Sequence, residues 1–175
     1  MNDEPGHGGN ATILGVDTSL RSTGIGVIQG PARAPMFITC GTIKTPAKEP
    51  HTECLRRLDA GITELLEEHQ PDALAIEGAF FSKNAKTAMI LGQARGVVLA
   101  AAARAGVPVY EYSPRSAKQA ITGYGNASKE QMGKMVSTLL KLKNVPQEDA
   151  ADALGLAVCH LQRTSGALPE EQKPI

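Results

Sequence analysis

Four acidic residues lie beside apolar segments, at positions where a carboxylate is expected to be partly buried. Two of them, Asp17 and Glu77, each follow directly on a short apolar run that predicts a buried strand. The other two, Asp149 and Asp152, are three residues apart at the start of a predicted helix and therefore share one of its faces. Carboxylate oxygens are the ligands that Mg²⁺ prefers, and two such ions can assist the hydrolysis of a phosphodiester. If the fold brings the four acids together, they predict a metal-dependent phosphodiester hydrolase.

Each of the four acids also has an explanation that gives it no part in catalysis. Asp17 could cap the turn that follows it, because Asp is common in turns rich in Ser and Thr. Glu77 could lie at the rim of the sheet, paired with a lysine. Asp149 suits the first turn of a helix, where the helix dipole favours an acid, but Asp152 lies a turn further in among Ala and Leu. Helix-end electrostatics therefore explain Asp152 poorly.

The composition predicts one cytoplasmic domain. The chain has 175 residues, enough for one sizeable core but few for two. No apolar run approaches the roughly 20 residues that a transmembrane helix needs, and the first ten residues lack the pattern of a secretory signal. Three cysteines, Cys40, Cys54 and Cys159, are odd in number and lack metal-site spacing. We therefore expect buried free thiols in a reducing compartment.

The formal charge of the chain is zero, but the charges are unevenly distributed. Residues 82–145 contain ten basic and two acidic residues, a net charge of +8, and the remainder of the chain carries −8. All four candidate acids belong to the acidic remainder. A basic surface beside an acidic pocket suits a polyanion whose charge is offset by metal ions at the pocket. Solvated helix faces would explain the same charges without a nucleic acid.

The hydrophobic pattern predicts one α/β domain over residues 11–163, with a disordered extension at 1–10 and a flexible tail at 164–175. Strands are predicted at 12–17, 24–29, 35–43, 73–76 and 107–112. Helices are predicted at 51–69, 84–105, 114–121, 128–142 and 146–163. The first strands are expected to be antiparallel, joined by the turn 18–23, and the later ones to be linked by crossover helices.

A second group of residues has the chemistry of a nucleic-acid surface. Phe80 and Phe81 follow Glu77 closely, and an aromatic ring there could stack on a base or wedge between bases. One of such a pair more often belongs to the core. Lys118 and Lys129 lie near a helix start or a glycine loop, where an ammonium group could reach a phosphate.

Four segments of the chain, taken in order and separation, resemble the motifs of the RuvC family of Holliday-junction resolvases. The resemblance spans about residues 13–163. The segments are Ala75-Ile76-Glu77-Gly78-Ala79-Phe80-Phe81-Ser82-Lys83-Asn84-Ala85, Leu91-Gly92-Gln93-Ala94-Arg95-Gly96, Glu111-Tyr112-Ser113-Pro114 with Lys118-Gln119, and Asp149-Ala150-Ala151-Asp152-Ala153-Leu154. These motifs are specific in combination.

The resemblance implies an RNase H-like fold, with a five-stranded mixed sheet flanked by helices, in a homodimer that binds a four-way DNA junction. It implies paired nicks on strands of like polarity that leave 5′-phosphates, with docking to the RuvA–RuvB branch-migration complex. The metal-binding catalytic acids carried over by motif are Asp17, Glu77, Asp149 and Asp152. The DNA-binding residues carried over are Phe80, Lys83, Arg95, Lys118 and Lys129.

The predicted mechanism uses two Mg²⁺ ions at each active site, and Mn²⁺ is expected to substitute. Asp17, on the first strand, is the best candidate to bridge both ions. Glu77 would hold one of them, and the Asp149/Asp152 pair the other, in an assignment that the sequence leaves open. Lys118 would offset the charge that develops on the phosphate.

One departure from the family pattern lies beside Asp17. The family usually has Asp-Pro-Gly in the first motif, whereas this chain has Asp17-Thr18-Ser19. A turn without that proline and glycine is expected to be less rigid.

Three other functions share part of this residue pattern. A kinase of the actin and hexokinase type needs a second phosphate-binding hairpin and an adenosine site, which this sequence lacks. A non-catalytic junction-binding module would leave the four acids with purely structural roles. A related RNase H-like nuclease could act on structured RNA.

Overall fold

Five strands form one mixed sheet in a computed structural model that describes residues 10–78, 84–164 and 173–175. The strands are β1 (Ala11–Asp17), β2 (Ser22–Gly30), β3 (Met36–Lys44), β4 (Ala73–Glu77) and β5 (Val109–Tyr112). The helices are α1 (His51–His69), α2 (Ala85–Arg104), α3 (Pro114–Thr122), α4 (Lys129–Leu139) and α5 (Glu148–Thr164). The sheet and its five helices confirm the α/β prediction.

The sheet has the order β3-β2-β1-β4-β5, which places β1 at its centre. The first three strands are antiparallel neighbours, and β4 and β5 run parallel to β1. The pairs Val16–Ile76 and Asp17–Gly24 fix the register at one end of β1. Because β1 and β4 are parallel, their last residues lie at the same edge of the sheet.

Helices cover both faces of the sheet and divide the core into two layers. Alternate residues of β1 point to opposite faces, so Ile13 joins one layer while Leu14 and Val16 join the other. The layer with Ile13 is closed by α3, α4 and α5. The other is closed by α1 and α2. Buried β1 therefore holds Asp17 between two packed layers.

Two predicted element boundaries were wrong for local reasons. The last strand begins at Val109 because Val107 completes the end of α2, donating its N–H to the Ala102 carbonyl at 3.0 Å. Pro108 then has no N–H to offer a strand partner. Helix α4 ends at Leu139, and Lys141 shortly afterwards adopts a left-handed backbone with φ of 53°.

The start of the last helix was also predicted too early. It begins at Glu148, two residues after Pro146, and its first turn is closed by the Ala151 N–H, which donates to the Gln147 carbonyl at 2.8 Å. The predicted N-terminal cap of α4 is confirmed, because Ser128 and Gln131 form a reciprocal capping box.

The three cysteines differ in burial, and the last residue of the chain contacts the sheet. All three cysteines are free thiols; Cys54 and Cys159 are buried as predicted, but Cys40 is only half-buried. Ile175 donates its backbone N–H to the Val109 carbonyl at 2.9 Å, so the last residue lies against β5. Within the described part of the chain, no helix is both long and apolar enough to cross a membrane.

Helix α5 approaches the sheet so closely that glycine is required beneath it. A Cβ added to Gly15 would lie 1.9 Å from the Ala153 carbonyl oxygen, and one added to Gly24 would lie 2.0 Å from that of Asp149. Both contacts are with helix backbone, which cannot move without displacing the whole element. The glycines of β1 and β2 therefore set the position of α5 and of the acids in its first two turns.

Substituting Gly15 tests this packing. We expect Gly15→Ala to lower the free energy of unfolding by about 3 kcal/mol, the upper end for overpacking a core, because α5 must shift outward. The control is Gly41→Ala on β3, where an added Cβ meets nothing within 4 Å. Urea denaturation of both variants measures the difference. Equal stability of the two would show that α5 does not rest on β1 as described.

Candidate active site

The fold brings the four acids to one edge of the sheet. Asp17 and Glu77 are the last residues of the neighbouring parallel strands β1 and β4, and their carboxyls are close enough for a hydrogen bond when one of them is protonated. Gly24 is the register partner of Asp17 and lies directly beneath the backbone of Asp149. Asp152, one turn further along α5, is close enough to affect both strand-end carboxylates electrostatically. The structure therefore places the four acids near one another, while their role as metal ligands stays a prediction.

Asp17 shows the strongest effect of this crowding. The pKa of its carboxyl is raised from 3.8 to about 7, first by burial and then by the negative charges of Glu77, Asp152 and Asp149. The Lys129 ammonium group opposes the shift. Near neutral pH, Asp17 therefore holds a proton for part of the time, and a cation at this point would be strongly favoured.

Glu77 and Asp152 respond in the same direction. Burial, followed by the charge of Asp152, raises the pKa of Glu77, although the hydrogen bond with Asp17 lowers it in part. Burial also raises the pKa of Asp152, against the opposing charges of Lys129 and Lys118. Three carboxyls are thus held in a half-buried pocket where their ionised forms are disfavoured. Such clustering is typical of a functional site.

The alternative explanations for Asp17 and Glu77 do not describe what the structure shows. The turn after Asp17 is held by the hydroxyls of Ser19 and Thr23, while the Asp17 carboxyl lies near that of Glu77 and acts on its pKa. Glu77 makes no ion pair among the described residues, and lysines influence it only from a greater distance. Neither acid is therefore explained by the turn or by a rim ion pair.

Comparison with known proteins decides the family. A family model described as crossover junction endodeoxyribonuclease RuvC matches residues 13–160. The chain belongs to the RuvC family. It is 49% identical over 150 residues to the crossover junction endodeoxyribonuclease RuvC of Shewanella sp. strain W3-18-1, covering 86% of each chain. It is 47% identical over 149 residues to that of Moorella thermoacetica, covering 85% of this chain and 89% of the relative.

Solved structures agree with the family assignment. The structure titled T. thermophilus RuvC in complex with Holliday junction substrate superposes with a TM-score of 0.87 at 35% identity, covering 94% of this chain and 99% of that one. The yeast mitochondrial Holliday junction resolvase has a TM-score of 0.63 at 13% identity, covering 89% of this chain and 80% of that one, and supports the fold alone. The predicted RNase H-like fold is confirmed. RuvC-family enzymes are divalent-metal nucleases.

Two lysines carried over from the RuvC family lie beside the acid cluster. Lys129, at the start of α4, forms an ion pair with Glu148 and is close enough to lower the pKa of Asp17 and Glu77. Lys118, on α3, also lowers the pKa of Glu77. Both ammonium groups are close enough to the acids to attract a phosphate that approaches them.

The other carried-over DNA contacts divide into two groups. Phe80 and Lys83 lie outside the described residues. Arg95, on α2, donates to the Glu77 carbonyl at 2.6 Å and forms an ion pair with Glu111. These contacts fix the end of β4 from behind, so in this structure Arg95 supports the backbone of Glu77. Its role in binding DNA stays a prediction.

The donor set of this RuvC-family site fits a hard divalent cation. Carboxylate oxygens are suitable ligands, and the raised pKa of Asp17 marks a place short of positive charge. The Thr18 hydroxyl, on a cleft shared with Glu77, is buried and has no hydrogen-bond partner among the described residues. No three acids in the described part of the chain are already gathered as a complete ligand set. A cation bound among these carboxyls would offset their mutual repulsion.

Sequence reasoning missed the residues that support the acids. Ser22 donates its hydroxyl proton to Asp149 Oδ2 at 2.6 Å, across 127 residues of sequence. Nothing in a single sequence links those two positions. The one sequence signal that could have found Ser22 is the register of the predicted hairpin. A turn that starts after Asp17 must return the residues just before Gly24 to the edge of the sheet where Asp17 lies.

Proposed function

We propose that this chain resolves four-way DNA junctions by paired, symmetric hydrolysis of phosphodiesters with Mg²⁺, which Mn²⁺ can replace. The observation that carries the proposal is the convergence of four carboxylates from three elements, Asp17, Glu77, Asp149 and Asp152, at one half-buried point. Family membership supplies the chemistry, and the T. thermophilus relative, described in complex with a Holliday junction substrate, supports the choice of DNA.

The four acids would hold two metal ions, with Asp17 between them. Asp17 is central in the cluster, since Glu77, Asp149 and Asp152 all act on its carboxyl. Glu77 reaches it from β4, and the two aspartates reach it from α5. When bound, the ions would lower the pKa of the attacking water and stabilise the leaving 3′ oxygen. The protein's own contribution is to hold the carboxylates in a buried position that excludes bulk water. Their ionised forms are unfavourable there unless a metal ion is bound.

The lysines would attract and orient the phosphate. Lys118 and Lys129 both act on the acid cluster, and both belong to the basic segment 82–145. A cation near the reacting group stabilises the negative charge that grows on the phosphate as water attacks. Phe80, Lys83 and Arg95 remain the proposed further contacts to the junction.

A symmetric dimer would match the symmetry of a four-way junction. Helix α2 offers a face for it, because Met89 is 67% exposed and an added Cβ at Gly92 or Gly96 meets nothing within 4 Å. Two such helices could approach closely over their small residues. We propose that the homodimer acts in the cytoplasm with the RuvA–RuvB branch-migration complex.

The role of Lys118 can be tested by removing its charge. We expect Lys118→Gln to slow junction cleavage about 10- to 100-fold, a loss of about 1.4 to 2.7 kcal/mol of transition-state stabilisation. Junction affinity should fall less. The slope of the logarithm of affinity against the logarithm of salt concentration should correspond to about one fewer released counterion. The measurements are single-turnover cleavage rates and binding across a salt series.

The matched control for that experiment is Lys134→Gln. Lys134 is an exposed lysine of α4 whose ammonium group pairs with Glu130 at 2.6 Å. Its removal should leave the cleavage rate within about twofold of wild type, as for surface substitutions remote from a site. If the two variants behaved alike, Lys118 would have no special part in the reaction.

The choice of substrate is tested by competition among three labelled nucleic acids. A synthetic four-way DNA junction, a linear duplex of the same sequence and an RNA hairpin are incubated with the protein and Mg²⁺. Cleavage confined to the junction supports a resolvase. Preferred cleavage of the hairpin would instead support an RNase H-like nuclease of structured RNA, and junction binding without cleavage would support a non-catalytic module.

A further inference from the structure

We propose that Ser22 is a positioning residue for metal binding, holding the Asp149 carboxylate toward the other acids, and that the hydroxyls of Ser19 and Thr23 hold Ser22 in place. The inference rests on the proposed metal-dependent function of the four acids. It assigns a role to a residue outside the resolvase motifs and to the part of the first turn that departs from the family pattern.

The contact between Ser22 and Asp149 joins two distant parts of the fold. Ser22 is the first residue of β2, and its hydroxyl donates to Asp149 Oδ2 at 2.6 Å in a half-buried position. A hydroxyl bound to an ionised carboxylate gives a short, charge-assisted bond, stronger than one between neutral groups. The bond occupies one oxygen of the carboxylate. A carboxylate has a second oxygen, which could bind a cation.

The carboxylate of Asp149 needs such support because its surroundings repel it. It lies in the first turn of α5, on the same helix face as Asp152. The charges of Asp17 and Asp152 both act on this region, and each favours an Asp149 side chain that turns toward solvent. The backbone contact at Gly24 fixes where α5 lies but leaves the side chain free to rotate. The Ser22 hydroxyl restricts that rotation.

The Ser19 hydroxyl binds both the carbonyl and the N–H of Ser22. The Ser19 hydroxyl donates to the Ser22 carbonyl at 3.0 Å and accepts from the Ser22 N–H at 3.1 Å. Thr23, only 1% exposed, closes the turn, because its hydroxyl donates to the Ser19 carbonyl at 2.5 Å and accepts from the Ser19 N–H at 3.1 Å. Four hydrogen bonds thus fix the backbone from which the Ser22 side chain reaches Asp149.

This arrangement explains how the turn can keep its shape without the family's proline and glycine. Proline restricts the backbone through its ring, whereas Ser19 restricts it through hydrogen bonds to Ser22. The same bonds place Ser22 against Asp149. The position of the first strand's acid and that of the helix acid are therefore coupled through one turn.

The test compares two side chains of equal shape at position 22. Ser22→Thr keeps the hydroxyl and Ser22→Val replaces it by a methyl group; both are β-branched and suit the start of a strand. Mn²⁺ binding to the DNA-free dimer or monomer, as purified, is measured by titration calorimetry. We expect Ser22→Val to weaken Mn²⁺ binding about 10-fold, the loss typical for a residue that orients a metal ligand, and Ser22→Thr to stay within about threefold of wild type.

Junction cleavage provides a second readout that a purely structural role would not produce. The Mn²⁺ concentration for half-maximal cleavage should rise about 10-fold in Ser22→Val, while the rate at saturating Mn²⁺ stays within about threefold of wild type. Thermal melting of the metal-free variants checks that both are folded.

The outcomes separate this inference from the proposed function. Wild-type cleavage together with equal Mn²⁺ affinities for wild type and Ser22→Val would overturn the role of Ser22 and leave the resolvase intact. Equal weakening in Ser22→Val and Ser22→Thr would also overturn it, since shape rather than the hydroxyl would then matter. A third outcome is that Ser22→Val alone weakens Mn²⁺ binding while the wild-type protein fails to cut junctions. That outcome would support the positioning role and contradict the proposed function.

Discussion

Replacing Asp17 by asparagine is expected to reduce junction cleavage by at least about 10³-fold, a loss of roughly 4 kcal/mol of transition-state stabilisation. The reason is its position: Asp17 lies at the end of the central strand, and the three other acids all act on its carboxyl. An amide keeps the shape of the side chain but removes the charge that would hold a metal ion. Single-turnover cleavage at saturating protein measures the loss.

Junction binding should survive that substitution. The basic segment 82–145 is unchanged in D17N, and the loss of one negative charge near the phosphate should strengthen binding slightly. The matched control is Asp59→Asn on α1, whose exposed carboxylate pairs with Arg104 away from the cluster. That variant should cleave at the wild-type rate. Cleavage by D17N within tenfold of wild type would exclude Asp17 as the central metal ligand.

The second large effect is on stability and depends on pH. Without metal, the folded protein holds the proton of Asp17 up to a pH of about 7, whereas the unfolded chain releases it near 3.8. Between those values the unfolded state binds fewer protons, so rising pH favours unfolding through this group. Wild type should therefore lose stability relative to D17N as the pH rises from about 4 to 7, by up to about 4 kcal/mol above pH 7.

Comparing the two proteins removes the contributions of titrating groups that do not interact with Asp17. The pKa of buried His160 is lowered by burial to about 4, so its contribution to stability runs in the opposite direction and is lost as pH falls below 6.5. Both proteins contain His160, and its effect cancels in the difference. Urea denaturation at several pH values, in EDTA, gives the two curves. A difference that does not change with pH would contradict the raised pKa of Asp17.

Adding a divalent metal should make the wild-type protein more stable than D17N. A cation that binds only the folded state stabilises it by mass action, and it replaces the proton on Asp17. Wild type is therefore expected to gain stability with increasing Mg²⁺ or Mn²⁺ at pH 8, while D17N gains little.

The sequence was sufficient to predict the acids because each had a local signature. Asp17 and Glu77 followed buried apolar runs, and parallel strands end at one edge of a sheet. Asp149 and Asp152 had helical spacing, and Asp152 was too far into the helix for end electrostatics to explain it. Short continuous apolar runs likewise predicted the central strands of the sheet, which the structure confirms.

The supporting contacts could not be predicted because they depend on distances between elements. Gly15 and Gly24 could have been ordinary strand glycines, and only the docked helix shows that a Cβ would collide with it. Ser22 looked like one more polar turn residue, although its hydroxyl reaches Asp149. The start of β5 was misplaced because the residues that end α2 are themselves apolar and resemble a strand.

One time course tests whether the four acids form a metal site that resolves junctions. A four-way DNA junction, labelled in turn on each strand, is incubated with the wild-type protein in Mg²⁺ and in EDTA. We predict nicks at symmetric positions in two strands of like polarity, ligatable 5′-phosphate ends, and no cleavage in EDTA. Cleavage that persists in EDTA, or junction binding without cleavage in either Mg²⁺ or Mn²⁺, would contradict that assignment.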